Sequence, residues 1–175
     1  MSLCYDPVMS RYITYIMFSF SLLCHSNNSF SLEKDQNQPI NIEADAATVD
    51  DKKGITIYSG NVSIDQGSLL ITADTVKVIT SKKEVLQIIA SADTTSEKLA
   101  HYQQDSDESA GRVSADAKLI TYFLQEERIH LSGEANLNQA GDVFSGDLLY
   151  YDIKKGIVDL KGSSKKRVNI TLTPK

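Results

Sequence analysis

The sequence contains a run of eight similar residues twice, SGNVSIDQ (59–66) and SGEANLNQ (132–139). The segment SGNVSIDQGSLLITADTVKV (59–78) and the segment SGEANLNQAGDVFSGDLLYY (132–151) align without a gap. A shorter unit recurs as well, in which an Asp precedes a β-like run, a turn and a second run. These units begin at Asp45, Asp74, Asp116 and Asp147. A unit of this size is one strand pair, which cannot bury an apolar face alone, so the repeat predicts stacked strand pairs.

Alternation of apolar and polar residues predicts the strands themselves. Ile40 and Ile42 alternate with polar neighbours, and the same period of two recurs in short runs as far as Leu172. Gly and Asp separate these runs at turns such as 50–54 and 154–156. Short alternating runs rich in Ile, Val, Thr and Tyr are typical of half-buried strands. We predict an all-β domain in which two facing sheets enclose an apolar column.

The first thirty residues differ in kind from the rest. The run YITYIMFSFSLLC (12–24) is uncharged, follows Arg11 and leads into polar residues, which is the pattern of a secretory signal peptide. It is shorter than the ~20 apolar residues that a membrane span needs. We therefore predict a signal peptide over residues 1–31, cleaved after Ser26 or Ser31, and a single exported domain over the remainder, from residue 38 to residue 175.

Charge and cysteines exclude several classes of protein. The formal net charge is -5 and the sequence pI is about 5.2, which disfavours a nucleic-acid partner because such partners need a basic surface. Cys4 and Cys24 both precede the predicted cleavage sites, so the exported domain would have neither disulfides nor thiol chemistry. Either Met1 or Met9 is the start of the chain, since both precede Arg11 and the apolar run.

The histidines and carboxylates show no catalytic or metal-binding pattern. His101 and His130 have no His, Cys or paired carboxylate close in the sequence, whereas a zinc site needs three or four ligands at a recognisable spacing. The regular placement of the repeated Asp residues predicts turns or strand starts, where Asp bonds to nearby backbone amides. The nucleophile-elbow, P-loop and dinucleotide motifs are missing. We expect no catalytic residue, no metal and no cofactor.

Several segments carry a resemblance to a known family. The segment QPINIEADAATVDDKKGITIYSGNVSIDQGSLLITADTVKV (38–78) resembles the opening of the LptA family, also called OstA, of periplasmic lipopolysaccharide-transport proteins. The segments LSGEANLNQAGDVFSGDLLYY (131–151) and KKRVNITLTP (165–174) are similar to later strands of that family, whereas residues 91–111 match it poorly. The resemblance implies an OstA-like, twisted β-jellyroll of two antiparallel sheets that is open at both ends.

The same resemblance implies a function and its partners. Family members join head to tail and carry lipopolysaccharide through the periplasm, between inner-membrane LptC-like and outer-membrane LptD-like proteins. The predicted edge strands, 39–44 and 168–173, carry mostly neutral polar residues between the apolar ones, which suits strand addition between chains. The alternative is that the flanking charges, such as Lys165, Lys166 and Arg167, prevent association.

The apolar column is either ordinary core or a trough for acyl chains. Each methylene moved from water into such a trough gains ~0.8 kcal/mol, so a lipid with several chains can be held strongly. We predict that the inward side chains of this groove are Ile40, Ile42, Ile57, Val62, Ile64, Ile71, Val76, Val78, Ile120, Tyr122, Leu124, Leu131 and Leu137. The resemblance implies that Ile40, Ile42, Tyr122 and Leu124 lie along the lipid path, and it adds an aromatic position at His101 or Tyr102.

Three functions are compatible with the sequence. The first is a non-enzymatic periplasmic carrier that bridges two membranes and passes lipopolysaccharide along its interior. The second is a membrane-anchored relative of the LptC type, in which residues 12–24 stay uncleaved as an anchor. The third is a carbohydrate-active enzyme on a β-roll, which would need paired carboxylates on facing strands within ~10 Å of each other.

Overall fold

The alternating runs form twelve strands in the part of the chain that the computed structural model describes, which is residue 35 and residues 38–95, 97–105, 111–164 and 167–174. The predicted signal peptide lies outside these residues. The strands are β1 (Asn41–Glu43), β2 (Ala46–Asp50), β3 (Ile55–Gln66), β4 (Leu69–Ser81), β5 (Glu84–Ser91), β6 (Ala100–Asp105), β7 (Arg112–Ala117), β8 (Leu119–Phe123), β9 (Arg128–Gln139), β10 (Asp142–Asp152), β11 (Ile157–Lys161) and β12 (Asn169–Thr171). No helix in these ranges is long and apolar enough to cross a membrane.

Four long strands, β3, β4, β9 and β10, each run through two layers. In the first layer the strand order is β1–β3–β4–β6–β7–β9–β10–β12, and in the second it is β2–β3–β4–β5–β8–β9–β10–β11. Every pairing is antiparallel. The predicted all-β fold with two facing layers is therefore confirmed. The layers form one hydrogen-bonded network because the long strands pass from one layer to the other.

The repeated Ser-Gly segment marks the corners at which β3 and β9 change layer. Gly60 and Asn61 both have positive φ, 79° and 46°, and Gly133 and Glu134 repeat this with 74° and 55°. Two left-handed residues in a row bend the strand, and the pairing of β3 with β4 shifts register there. The same backbone bond closes each corner: Asp45 N donates to Gly60 O at 3.0 Å, and Lys118 N donates to Gly133 O at 2.8 Å.

The repeated Asp residues also lie where the chain crosses between layers. Asp45 precedes β2 as predicted, but Asp74, Asp116 and Asp147 lie inside β4, β7 and β10 instead of at strand starts. Asp74 Oδ2 accepts a hydrogen bond from Asp93 N at 2.7 Å, and Asp45 Oδ2 accepts one from Asn61 Nδ2 at 3.0 Å. Asp and Gly therefore recur along the sequence because each repeated unit contains one corner at which the chain changes layer.

The two equivalent corners differ in how much room they leave. A Cβ added at Gly60 would lie 2.2 Å from Asp45 Oδ2, whereas one at Gly133 would lie 3.1 Å from Lys118 Cβ. Both substitutions force a left-handed residue, which costs about 1–2 kcal/mol, but only the first displaces a hydrogen-bonded carboxylate. We expect Gly60→Ala to lower the free energy of unfolding by about 2–4 kcal/mol and Gly133→Ala by about 1–2 kcal/mol, measured by urea denaturation. An equal loss at both corners would contradict this account.

Side chains facing between the layers form continuous rows across the strands. A row of the first layer contains Ile42, Ile64, Ile71, Tyr102, Ala115, Leu137, Phe144 and Ile170. A row of the second layer contains Ala47, Tyr58, Val76, Ala90, Ile120, Leu131, Leu149 and Leu160. The middle members are buried, and the members next to the free edges are half-buried or exposed. The roll therefore has a packed centre and two uncovered ends.

Candidate functional site

A cavity of about 570 Å³ opens between the layers on one side of the roll. The β3–β4 hairpin and β6 of the first layer form one wall, and the β4–β5 and β8–β9 turns of the second layer form the other. The lining residues are Asp35, Ile40, Gln66, Leu69, Lys83, Glu84, Val85, Gln104, Tyr122, Leu124, Gln125 and Glu127. Aliphatic and aromatic side chains of both layers meet in this cavity, which is the arrangement expected of a site for an apolar ligand.

The structure brings together three of the four residues that the resemblance singled out. Ile40, Tyr122 and Leu124 all line the cavity, although Ile40 lies more than eighty positions before the other two in the sequence. Ile42 lies further in, opposite Ile64, and packs against the core. The ring of Tyr122 meets Tyr102 of the other layer edge to face, with centroids 5.6 Å apart. Burial raises the pKa of Tyr122 to about 12, so its hydroxyl is uncharged at neutral pH.

Most of the other predicted groove residues form the packed core between the layers. The buried members of this set are Val62, Ile64, Ile71, Val76, Val78, Ile120, Leu131 and Leu137. Their inward orientation is as expected from the alternation. Because they contact one another across the interior, a lipid path through the centre would require the layers to separate. Their participation in lipid binding stays a prediction.

Two predicted groove residues face the other way. Ile57 lies on the outer face of the second layer and is 41% exposed, because its neighbour Tyr58 is the residue paired with buried Val76. His101 lies on the outer face of the first layer, where its Nδ1 contacts Asp116 Oδ1 at 2.8 Å across the β6–β7 pair. Of the two aromatic positions considered there, Tyr102 is the one that faces the interior.

Two aromatic rings partly shield outward-facing His130 from solvent. Its ring lies 4.7 Å from that of Phe123 and 4.6 Å from that of Tyr150. Burial lowers the pKa of His130, with a further contribution from the charge of Arg128. No group of three or more His, Cys, Asp and Glu side chains in the described ranges is arranged to hold a metal ion.

Asp35 ties the residues before β1 to the cavity wall. Its carboxylate accepts hydrogen bonds from Ser68 N at 3.1 Å and from Ser68 Oγ, and its backbone oxygen accepts one from Gln38 N at 2.9 Å. A Cβ added at Gly67, where φ is 61°, would lie 2.3 Å from this carboxylate. Asp35 was missed by the sequence analysis because it precedes the first alternating run.

The two ends of the roll have opposite charge. The end formed by β1, β2 and their turns carries Glu43, Asp45, Asp50 and Asp51 against Lys52 and Lys53. The end formed by β11, β12 and their turns carries Lys154, Lys155, Lys161 and Arg167 against Asp159, among the described residues. Apolar side chains are exposed at both ends, among them Val49 at the first and Ile170 at the second.

Comparison with known proteins identifies the family. The model of a family described as "LptA/(LptD N-terminal domain) LPS transport protein" matches residues 41–157, which include both corners and most of the cavity wall. The chain belongs to this family. The lipopolysaccharide export protein LptH of Pseudomonas aeruginosa is 29% identical over 167 residues, covering 91% of this chain and 93% of LptH.

Other family members agree with this assignment. LptA of Haemophilus influenzae is 31% identical over 164 residues, which is 91% of each chain, and LptA of Escherichia coli K12 is 28% identical over 159 residues, which is 91% of this chain and 84% of that LptA. The crystal structure of LptH, described as the periplasmic component of the lipopolysaccharide transport device, superposes with a TM-score of 0.71. That match covers 81% of this chain and 99% of LptH at 29% identity.

Proposed function

We propose that this protein is a non-enzymatic periplasmic carrier of lipopolysaccharide, one segment of a bridge between the inner and outer membranes. The observation that carries this proposal is the course of the inner apolar rows, which run from one free edge of the roll to the other without a charged residue. Such rows offer acyl chains a continuous path out of water. The names and coverage of the relatives support the same function.

The cavity is where acyl chains enter this path. Ile40, Tyr122 and Leu124 meet there, whereas the centre of the roll is filled by its own side chains. The layers are joined where β3, β4, β9 and β10 pass from one layer to the other, so they part most easily on the side that is already open. Each methylene placed between them gains ~0.8 kcal/mol. Binding is spread along the rows and is weak at each point, which lets the lipid move on.

Residues 1–31 act as a signal peptide, and residues 38–175 form the exported domain. Sequencing the N-terminus of the exported protein, taken from both the periplasmic and the membrane fractions, tests this assignment. A chain that begins just after Ser26 or Ser31 supports the soluble carrier. A chain that keeps residues 12–24 supports the anchored LptC-type alternative instead.

Copies of the chain join head to tail through their free edges. β2 runs away from the corner of β3, and β11 runs towards the point at which β10 changes layer. The β2 strand of one copy and the β11 strand of the next are therefore antiparallel when the copies stack in the same orientation. Pairing Leu160 with Ala47 and Val158 with Val49 then continues two inner rows of the second layer. Pairing Ile170 of β12 with Ile42 of β1 continues the inner row of the first layer. Backbone pairing across edges is an established mode of association.

The charges at the two ends of the roll favour the head-to-tail orientation. In the register that aligns the inner rows, Arg167 lies opposite Asp45, and the Lys154 and Lys155 turn lies beside Asp50. Two acidic ends or two basic ends would place like charges together, which is costly. The partners at the ends of the bridge are an LptC-like protein on the inner-membrane side and an LptD-like protein on the outer-membrane side.

Cysteine cross-linking tests this joint. We expect an equimolar mixture of exported Ile42→Cys and Ile170→Cys chains to form a disulfide-linked dimer on mild oxidation, because facing antiparallel residues have Cβ atoms about 4.5–5.5 Å apart. Each variant alone should give no disulfide-linked dimer, since head-to-tail stacking does not bring two copies of the same residue together and head-to-head contact is disfavoured. A Glu43→Cys chain mixed with Ile170→Cys is the matched control, one residue out of register and on the opposite face. Equal yield from this control, on non-reducing gels, would contradict the joint.

A further inference from the structure

The turn between β4 and β5 is strained. Lys82 and Lys83 are its two central residues, and both have positive φ, 50° and 70°. Ser81 pairs with Glu84 on either side of them, so the turn is a two-residue hairpin with left-handed residues at both central positions. Asn-Gly is the sequence that suits such a turn, because most side chains bring Cβ too close to a carbonyl oxygen in this conformation. The chain therefore holds two lysines where the backbone disfavours them.

Two other turns of the second layer also contain a pair of lysines, but they avoid this strain. In the turns at residues 50–54 and 152–156, a glycine follows the lysines and takes the positive φ, which is 64° in each. The second lysine of each pair also forms an ion pair of 3.0 Å with an aspartate of the same turn. These ion pairs are Lys53 with Asp50 and Lys155 with Asp152. The lysines of these two turns are therefore explained without a ligand.

Lys82 and Lys83 differ from those lysines in their surroundings as well. Among the described residues, neither of their amino groups forms an ion pair. Both residues are exposed, and Lys83 lines the cavity between the layers. Backbone strain that persists beside a ligand cavity is typical of residues that are kept for function and not for folding. The position of this turn therefore points to an anionic group in the ligand.

The cavity narrows the choice of anion. Its apolar walls, with Leu124 on the side of the second layer, suit acyl chains, so the ligand is an amphiphile with an anionic head group. Asp35, Glu84 and Glu127 line the same cavity and repel an anion that moves deeper. The exposed tip of the β4–β5 turn remains for it. Two neighbouring ammonium groups, each with three N–H donors, suit the several oxygens of a phosphate.

We propose that Lys82 and Lys83 form a phosphate subsite at the mouth of the cavity, which binds a phosphate on the sugar head group of an acylated lipid. This inference rests on the proposed function. The acyl chains lie between the layers and the phosphate lies at the tip of the turn, so the subsite sets the depth of the lipid. The chain keeps a strained Lys-Lys turn because an unstrained Asn-Gly turn would supply no positive charge.

Lipid A and the same lipid with its phosphates removed test this subsite. Calorimetric titration should show that the exported wild-type protein binds lipid A roughly fivefold to twentyfold more tightly than the phosphate-free lipid. The double variant Lys82→Asn/Lys83→Gly should lose this preference to within about twofold. Its melting temperature should nevertheless rise by about 3 to 8 °C, because Asn-Gly relieves the strain of the turn. A turn with only a structural role would show the same rise without the loss of preference.

The matched control is Lys77→Gln on the same hairpin. Lys77 pairs with Ile57 and Ile89 on the outer face of the second layer, away from the cavity. We expect this variant to keep the preference for lipid A, and the single variant Lys83→Gly to lose most of it. An equal loss in Lys77→Gln and Lys83→Gly would mean that net charge and not the turn selects the lipid, which would overturn the subsite.

The outcomes separate this subsite from the proposed function. Absence of binding of both lipids by the wild-type protein would overturn both proposals. Equal binding of the two lipids, or a preference that survives in the double variant, would overturn the subsite alone. A double variant whose melting temperature does not rise would overturn it as well, because the lysines would then impose no strain on the turn. Inorganic phosphate that binds as tightly as lipid A would mean a site for the free ion and not for a lipid.

Discussion

Replacing Leu137 by Ala is expected to lower the free energy of unfolding by about 2–5 kcal/mol. Leu137 is completely buried in the inner row of the first layer, opposite Ala115 on β7 and Phe144 on β10. Its neighbour Ala115 is too small to fill the space that the leucine leaves. The substitution therefore loses the free energy gained by burying the leucine side chain, and the cavity that remains adds a further loss of stability. Equilibrium denaturation in urea, with tyrosine fluorescence or circular dichroism as the signal, measures the loss.

The matched control is Asn138→Ala on the same strand. Asn138 is exposed on the outer face of β9, opposite Ser114, so its truncation removes no core contact. We expect it to change the free energy of unfolding by no more than about 0.5 kcal/mol. A loss at Asn138 comparable to that at Leu137 would mean that the two faces of β9 have been assigned wrongly.

Replacing Leu124 by Asp is expected to weaken the binding of lipid A by about 2 to 3 kcal/mol, or roughly 30- to 150-fold. Leu124 is half-buried in the turn between β8 and β9, where its backbone N donates to Leu86 O at 3.2 Å. The substitution removes the apolar surface that an acyl chain would contact and adds a charge beside Glu84 and Glu127. Calorimetric titration with lipid A measures the change, and thermal unfolding confirms that the variant is folded.

Thr121→Asp adds the same charge to the same hairpin on its other face. Thr121 pairs with Ile89 and His130, on the outer face of the second layer. We expect its affinity for lipid A to stay close to that of the wild-type protein. If Thr121→Asp weakens binding as much as Leu124→Asp, net charge rather than the cavity governs binding, and the assignment of the cavity fails.

Alternation predicted the strands well, but it did not always predict which face of a strand is buried. On β3, Ile55 and Ile57 alternate with Thr56 and Tyr58, and both sets are compatible with a buried strand. The structure buries the tyrosine side because the corner at Gly60 fixes which residues pair with Val76. Periodicity alone does not show which face of β3 is buried, since the outer face of the second layer also carries isoleucine.

The cavity could be predicted only in part. Alternation predicted Ile40, Tyr122 and Leu124 as inward residues, the family resemblance placed them on the lipid path, and the structure brings them together. Gln66 and Gln104 were missed because a buried amide runs against the pattern that identifies inward positions. β7 was also difficult to recognise, since its buried residues include Ala115 and Ala117, whose small side chains give little hydrophobic signal.

Photo-crosslinking in living cells tests most directly whether the interior carries lipid. A photoreactive amino acid is placed at Tyr122, which lines the cavity, and separately at Thr121, which faces outwards on the same strand. We expect ultraviolet light to attach lipopolysaccharide to the chain labelled at residue 122 and not to the chain labelled at residue 121. Equal attachment at both positions, or attachment at residue 121 alone, would contradict a lipid path between the two layers.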